Sequence, residues 1–314
     1  MARPTVLVYH PHDASTYARL IRAPRGSVTI RVAASPEDAA QVIGEADILY
    51  GWNIPAHLLE KAGRVQWLQT MSAGVDWVLV PELPPSVTVT RVPGVFGPWM
   101  AEYVLGWSLW VTQRMATYRE AQGRRAWIDD VVPDRLRGKT LAVVGVGDVG
   151  RTIARAARAF GMRVIGVSRS GRSVAGVDRV YRASALARAL AAADFVVLAV
   201  PLTERTRDLI GAAELQAMRP GAWLLNVARG PVVDEEALRQ ALEARRIGGA
   251  ILDVVRTEPL PPSHPLWGLD NVVITPHISG PNLPEEIAPL FDDNLRRFLA
   301  GRRLRHVVDR SRGY

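Results

Sequence analysis

The chain contains no cysteine. That absence excludes disulfides, thiolate zinc sites and cysteine nucleophiles, and it suits a cytoplasmic address. Lysine is almost absent as well. Lys61 and Lys139 are the only two, so the formal charge of +8 is carried by arginine. The arginines are scattered, and the densest cluster, Arg302 to Arg310, is interrupted by apolar residues. It reads as a solvated surface, so no nucleic-acid partner is expected. No apolar run approaches the ~18 residues of a membrane span, and none is expected to cross a bilayer. Met1 to His10 has only the short apolar stretch Val6–Tyr9 and no cleavage-site pattern, so no signal peptide is expected.

What is present describes a globular enzyme-sized chain. At 314 residues, 48% hydrophobic and 22% charged, it is long for one core, and two domains are expected. Apolar runs at Leu141–Val144, Val164–Val167, Phe195–Val200, Ala222–Val227, Ala250–Asp253 and Val272–Thr275 alternate with helical patterns. The first helix places Ile153, Ala156, Ala157 and Phe160 on one face, with Gly161 able to take positive φ just beyond it. Further helices are predicted at Ser184–Ala192, with Ser184 as N-cap, at Ala212–Met218 and at Glu235–Ala244. Six parallel strands joined by crossover helices make a doubly wound, Rossmann-type dinucleotide-binding domain. A smaller α/β domain is predicted from strands at Val6–Tyr9, Val28–Val32, Asp47–Tyr50, Val65–Gln69 and Val87–Arg91, with a helix at Glu37–Ile43. A closing helix near Glu285–Ala300 is expected to pack back on it. The smaller domain is then discontinuous, 1–98 plus 281–314, with the cofactor domain, 99–280, inserted between its parts.

Gly145-Val-Gly147-Asp148-Val149-Gly150 lies between a predicted strand and a predicted helix. The first glycine permits a tight turn, the second a close approach of backbone to pyrophosphate, and the third close helix–strand packing. The helix start adds free N–H groups and a positive dipole end. About 20 residues further on, an NAD site would present an acid to the ribose 2′-hydroxyl. Here the chain reads Ser168-Arg169-Ser170-Gly-Arg172 instead. Two guanidinium groups suit a 2′-phosphate, so NADP is expected, with NAD as the alternative.

Three charged residues follow predicted strands: Arg229 in Asn226-Val-Ala-Arg-Gly230, Glu258 in Glu258-Pro-Leu260, and His277 in Thr275-Pro-His277. Carboxyl ends of parallel strands line the ligand crevice of such sheets, so the three are expected to converge. Together with Gly145–Gly150, Pro201-Leu-Thr203 with Thr206, Val233-Asp234 and Leu252-Asp253, they resemble the D-isomer-specific 2-hydroxyacid dehydrogenases across most of residues 99–280. Ser72-Ala73-Gly74-Val-Asp76 is similar to that family's substrate-carboxylate loop. The serine–arginine run looks most like the NADPH-preferring glyoxylate/hydroxypyruvate reductases.

The resemblance implies hydride transfer between NADP(H) and C2 of a small 2-oxo or 2-hydroxy acid. Arg229 then grips the substrate and polarises its carbonyl. His277 is the general acid/base. Glu258 orients the imidazole and favours its protonated form. The N–H groups of Ala73 and Gly74 bind the carboxylate, and Trp52 is a candidate substrate contact. Asp253 touches the nicotinamide end, while Val200, Pro201, Thr206, Val227, Ala228 and Ser279 line the cofactor groove. A helix beginning near Trp99 and the following Trp127 imply a homodimer. His10, His12, His57, His264 and His306 form no metal-ligand pattern and read as structural.

Rival chemistries lack their residues. A short-chain dehydrogenase needs Tyr-x-x-x-Lys, yet His57 stands before Lys61 and Arg135 before Lys139. Zinc alcohol dehydrogenases need cysteine, and a methyltransferase has no use for the Arg, Glu and His trio. The remaining alternative is a nucleotide-sensing, corepressor-like binding protein of the same fold, although no extra interaction segment stands out.

Overall fold

A computed structural model describes residues 3–314, so Met1 and Ala2 of the N-terminal stretch lie outside the described residues. The chain divides into two compact units. One takes in everything through Val95 together with Asn282–Tyr314, and the other is Phe96–Pro281.

The first unit is built on a parallel five-stranded sheet. Its strands are β1 (Thr5–Tyr9), β2 (Thr29–Ala33), β3 (Ile48–Gly51), β4 (Trp67–Thr70) and β5 (Thr88–Thr90), in the order β2-β1-β3-β4-β5. Helices α1 (Ala14–Leu20), α2 (Pro36–Val42) and α3 (Ala56–Leu59) make its early connections. Ser35 caps α2 by accepting the Asp38 N–H, with Pro36 at the first helical position where no N–H is needed. The closing helix, Pro284–Leu299, belongs to this unit. Its Phe291 is fully buried and stacks on Tyr50 at 4.0 Å and on Trp67 at 5.1 Å between centroids. Such aromatic stacks add to simple burial.

The second unit begins with α4 (Phe96–Thr112) and α5 (Met115–Gly123), which are separated at Arg114, a residue in the left-handed region at φ 54°. The first of these starts at Phe96, earlier than the sequence suggested. A seven-stranded parallel sheet follows, of β6 (Thr140–Val144), β7 (Arg163–Ser168), β8 (Arg179–Arg182), β9 (Phe195–Leu198), β10 (Trp223–Asn226), β11 (Gly249–Leu252) and β12 (Val272–Ile274). The order is β12-β11-β10-β9-β6-β7-β8. Helices α6 (Asp148–Ala159), α7 (Leu186–Leu190), α8 (Ala212–Ala217) and α9 (Glu235–Glu243) cross between them. Strand β6 is buried throughout. Leu141 and Val143 enter one core and Ala142 and Val144 the other, as a strand covered on both faces requires.

Two expectations need correction. The sheet has seven strands because Arg179–Arg182 adds an edge strand. Its residues are exposed or half-buried, so the apolar run that marks an inner strand never forms. Ser184 does not cap a helix. It sits inside a short 3₁₀ turn, Ala183–Ala185, and α7 then begins without a side-chain cap and ends at Leu190.

Candidate active site

The glycine run occupies the turn from β6 into α6 and therefore lies where the strand order reverses, between β6 and β9. Gly145 has φ +101°, and a Cβ there would stand 2.5 Å from the Ala199 carbonyl oxygen. A Cβ on Gly150 would stand 2.0 Å from the Gly145 carbonyl oxygen. Both positions are closed to any side chain. Gly147 is the opposite case: a Cβ there would meet nothing within 4 Å. It is the exposed N-cap of α6 and offers no side-chain cap, while Asp148 and Val149 open the helix. An open backbone shelf under uncapped helix N–H groups is what a pyrophosphate needs, so these residues fit a dinucleotide.

At the end of β7 the chain turns over Ser168–Arg172. Ser168 Oγ accepts the Gly171 N–H at 3.1 Å and Ser170 Oγ the Arg172 N–H at 3.3 Å. Arg169 and Arg172 are exposed. Gly171 has φ +65°, and a Cβ on it would reach Arg182 Cγ at 2.5 Å, so a third arginine lies against this turn. Sequence inspection passed over Arg182 because it sits on the unrecognised edge strand.

Arg229, Glu258 and His277 follow β10, β11 and β12, three neighbouring strands whose ends are in register. Asn226 shapes the first loop. Its Oδ1 accepts the Ala228 N–H at 3.0 Å and its Nδ2 donates to the Arg229 carbonyl at 3.0 Å. Arg229 Nη1 donates to the Ala228 carbonyl at 2.8 Å. Gly230 is required beneath it, since a Cβ would meet the Val255 carbonyl at 2.0 Å. Glu258 and His277 are joined directly, with Oε2 and Nδ1 3.0 Å apart and each side chain 40% exposed. Glu258 Oε1 accepts the Val255 N–H at 3.2 Å. Partial burial pushes the Glu258 carboxyl up. The hydrogen bond and charge of His277, the Val255 N–H and the charge of Arg229 outweigh it, holding the carboxyl below its ordinary range.

His277 itself has φ +55°, a conformation side chains seldom adopt, and a network holds it there. Its N–H donates to the Asp253 carbonyl at 2.8 Å and the Thr275 carbonyl at 3.0 Å. The Asp253 carboxylate, 1% exposed, accepts the Thr275 hydroxyl at 2.7 Å, the Ile278 N–H at 2.8 Å and the Ser279 N–H at 3.0 Å. Tyr103 of α4 lies 2.6 Å from Thr275 Oγ1. The Thr275 proton is committed to Asp253, so the tyrosine is the donor. Tyr103 and Thr275 were missed in the sequence because only the three-dimensional contact between α4 and the loop after β12 marks them.

The remaining groove residues are placed as follows. Thr206 Oγ1 donates to the Pro201 carbonyl at 2.6 Å and accepts the Thr203 N–H at 2.8 Å, so its hydroxyl is engaged within its own turn. Val200 and Pro201 are half-buried, and Val227, Ala228 and Ser279 are buried. In the first unit, Trp52 follows β3 and its N–H donates to the Tyr9 carbonyl at 3.1 Å. Ala73 and Gly74 sit in the loop after β4. Ser72 Oγ closes that loop by donating to the Gly74 carbonyl at 2.7 Å.

Residues 105–279 match the family described as D-isomer specific 2-hydroxyacid dehydrogenase, NAD binding domain. A glyoxylate reductase of Thermofilum pendens is 36% identical over 257 residues, covering 79% of this chain and 76% of that protein. A D-isomer specific 2-hydroxyacid dehydrogenase family protein from Aeromonas salmonicida superposes with a TM-score of 0.91 at 40% identity, over 98% of this chain and all of the other. The NADPH-dependent glyoxylate/hydroxypyruvate reductase of Sinorhizobium meliloti, solved with NADP and sulfate, gives a TM-score of 0.90 at 27% identity over the full length of both chains. A glycine cradle, a carboxylate–imidazole pair and an arginine at three adjoining strand ends are thus found in a chain that is an oxidoreductase and belongs to the D-isomer specific 2-hydroxyacid dehydrogenase family.

Proposed function

We propose that the protein reduces a small 2-oxo acid of the glyoxylate/hydroxypyruvate type with NADPH. A nicotinamide nucleotide held by the Gly145–Gly150 turn would supply the hydride for C2. Arg229 grips the substrate and polarises the C2 carbonyl, its planar fork matching oxygen acceptors. His277 delivers the proton to the carbonyl oxygen from Nε2, because Nδ1 is engaged with Glu258. It takes the proton back when the 2-hydroxy acid is oxidised. Glu258 fixes the tautomer and stabilises the charged imidazole. Asp253 acts mainly on the His277 loop, which its carboxylate ties down. The Ala73 and Gly74 N–H groups, which make no hydrogen bond among the described residues, take the substrate carboxylate, and Trp52 contacts the substrate beside them. The observation that carries the mechanism is the 3.0 Å contact between His277 Nδ1 and Glu258 Oε2.

The preference for NADP rests on Ser168, Arg169, Ser170 and Arg172, with Arg182 beside them, standing where an acid would bind the ribose of NAD. The S. meliloti relative, which holds NADP, supports it. The test compares kcat/KM for NADPH and NADH with glyoxylate, hydroxypyruvate and pyruvate. Equal or better use of NADH overturns the cofactor assignment. Tight nucleotide binding with no turnover on any of the three overturns the substrate assignment.

A homodimer is also proposed. Trp127 is 94% exposed, and with Tyr118, Ala121 and Ile128 it lines an apolar hollow of about 580 Å³. An exposed indole continuous with an apolar hollow is the kind of patch that marks an interaction surface. Trp127→Asp is expected to convert a dimer to a monomer in sedimentation, and a wild-type monomer would refute it. Among the described residues, no helix is long and apolar enough to cross a membrane.

A further inference from the structure

Glu258 reaches His277 from a loop that leaves β11 after Leu252 and ends at the 3₁₀ turn Pro265–Gly268. A carboxylate–imidazole pair at 40% exposure holds such a loop only weakly, so its shape has to be set elsewhere. Two adjacent N–H groups of the loop go to carboxylates. Val255 donates to Glu258 Oε1 at 3.2 Å, and Arg256 donates to Glu235 Oε2 at 3.1 Å. The peptide between them presses on Gly230, where a Cβ would stand 2.0 Å from the Val255 carbonyl oxygen and 2.4 Å from the Arg256 nitrogen. This peptide is therefore where the loop of Glu258 touches the loop of Arg229.

The Arg256 side chain pins that peptide from outside. Its Nη2 donates to the Val233 carbonyl at 2.9 Å and pairs with the Asp208 carboxylate. Both anchors belong to one frame. The Asp208 N–H donates to the Pro231 carbonyl at 2.9 Å, the Ile210 N–H to the Val232 carbonyl at 3.1 Å, and the Asp234 N–H to the Ile210 carbonyl at 3.0 Å. Ile210, Val232 and Val233 are buried, so the frame is part of the core. Glu235 opens α9 directly after it and also reaches the far end of the loop, with Oε1 3.2 Å from His264 Nε2. His264 Nδ1 accepts the Leu266 N–H at 3.4 Å, which leaves the ring proton on Nε2 for Glu235.

We infer that Arg256 is a positioning residue that sets where Glu258 meets His277, acting through the Val255–Arg256 peptide. The role rests on the proposed part of Glu258 and His277 in proton transfer. With the guanidinium seated, the peptide is held against Gly230 and the Val255 N–H stays in line with Glu258 Oε1. The other carboxylate oxygen is then aimed at Nδ1 of the imidazole. Without the guanidinium, Glu235 alone holds the outer side of the peptide, and the reach of Glu258 is no longer fixed. Rates respond steeply to small displacements of a proton-transfer group. Lysine offers Asp208 a charge on a flexible stem but no planar fork, so it restores the brace only in part.

The test measures kcat with NADPH and glyoxylate or hydroxypyruvate in the full-length protein, for Arg256→Ala, Arg256→Lys, Glu258→Gln and Arg256→Ala combined with Glu258→Gln. Arg256→Ala is expected to lower kcat about tenfold and to leave the NADPH dissociation constant within roughly twofold, while Arg256→Lys recovers part of the loss. In the Glu258→Gln background the same alanine substitution is expected to cost less than about threefold, because the carboxylate that Arg256 aims is gone. Equal factors in the two backgrounds overturn the inference, as does a kcat for Arg256→Ala within roughly twofold of wild type. Should Arg256→Ala not fold, Asp208→Asn, which leaves the loop itself intact, takes its place in the same cycle. A wild-type protein that turns over neither acid refutes the reductase reading instead, and imidazole ¹⁵N NMR then reads the brace. The His277 Nδ1 resonance, assigned by its loss in His277→Ala, is expected to move in Arg256→Ala toward its position in Glu258→Gln. A resonance that keeps its wild-type position refutes the role of Arg256, whatever the protein reduces.

Discussion

The two sheets solve one problem in two ways. Each is parallel, each reverses its strand order once, and each presents a loop at the reversal. After β6 that loop is Gly145–Gly150, in which every glycine of the pattern leaves the backbone bare. After β1 it is His10-Pro-His-Asp13, with Trp52 beside it. The backbone turn can be crowded closer wherever side chains are removed, and a pyrophosphate is gripped best by bare N–H groups. A small acid with few distinguishing atoms needs side chains that reach it. Strand ends thus provide a position, and residue type decides which ligand can use it.

The largest break in this comparison is expected at β12, where the chemistry stands apart from nucleotide grip. His277→Ala is expected to lower kcat by ~10²–10⁴ while the NADPH dissociation constant, read by fluorescence titration, stays within a few-fold. Comparable loss of nucleotide binding would show that the imidazole also supports the cofactor. Next is the glycine loop itself. Gly150→Ala forces a Cβ to within 2.0 Å of a carbonyl oxygen and is expected to lower Tm by roughly 5 °C or more. Gly147→Ala, facing open space, is expected to leave Tm alone and to weaken NADPH binding about tenfold. Equal effects of the two substitutions on Tm would contradict the shelf.

Glu258→Gln is expected to lower kcat for 2-oxo acid reduction about tenfold, since the imidazole loses the carboxylate that orients it. Stability gives an independent sign. Glu258 is held below its ordinary carboxyl range, so it stabilises the fold above that range, and the contribution disappears as pH drops through the lowered value. At 40% exposure the effect is small. The Tm difference between wild type and Glu258→Gln is expected to narrow in acid by roughly 1–2 °C. The smallest effect is expected for Tyr103→Phe, which removes only the hydroxyl that donates to Thr275. A fall in kcat of about threefold, non-additive with Thr275→Val, would mark the chain from Tyr103 to Asp253 as a positioning device.

Much of the second unit was legible in the chain. Apolar runs such as Leu141–Val144 announce buried parallel strands, and the glycine spacing names its own geometry. Arg179–Arg182 was not legible, because an edge strand buries too little to need an apolar pattern. In the first unit His10 read as a structural histidine. Nothing local announces that its ring is buried, because the indole that stacks on it belongs to Trp52, 42 positions later.

What the sequence determined by itself was local: strand periodicity, the glycine turn, the absence of an acid after β7, and the residue types able to carry a proton or grip a carboxylate. These depend on neighbours within a few residues, where backbone sterics and hydrogen bonding act directly. Tertiary structure alone decided that His277 meets Glu258 across 19 positions and that Tyr103 reaches Thr275 across 172. It also decided that the Asp253 carboxylate accepts three hydrogen bonds from the loop that carries His277. Such pairings follow from strand order and helix crossing, which bring together side chains that no spacing along the chain connects.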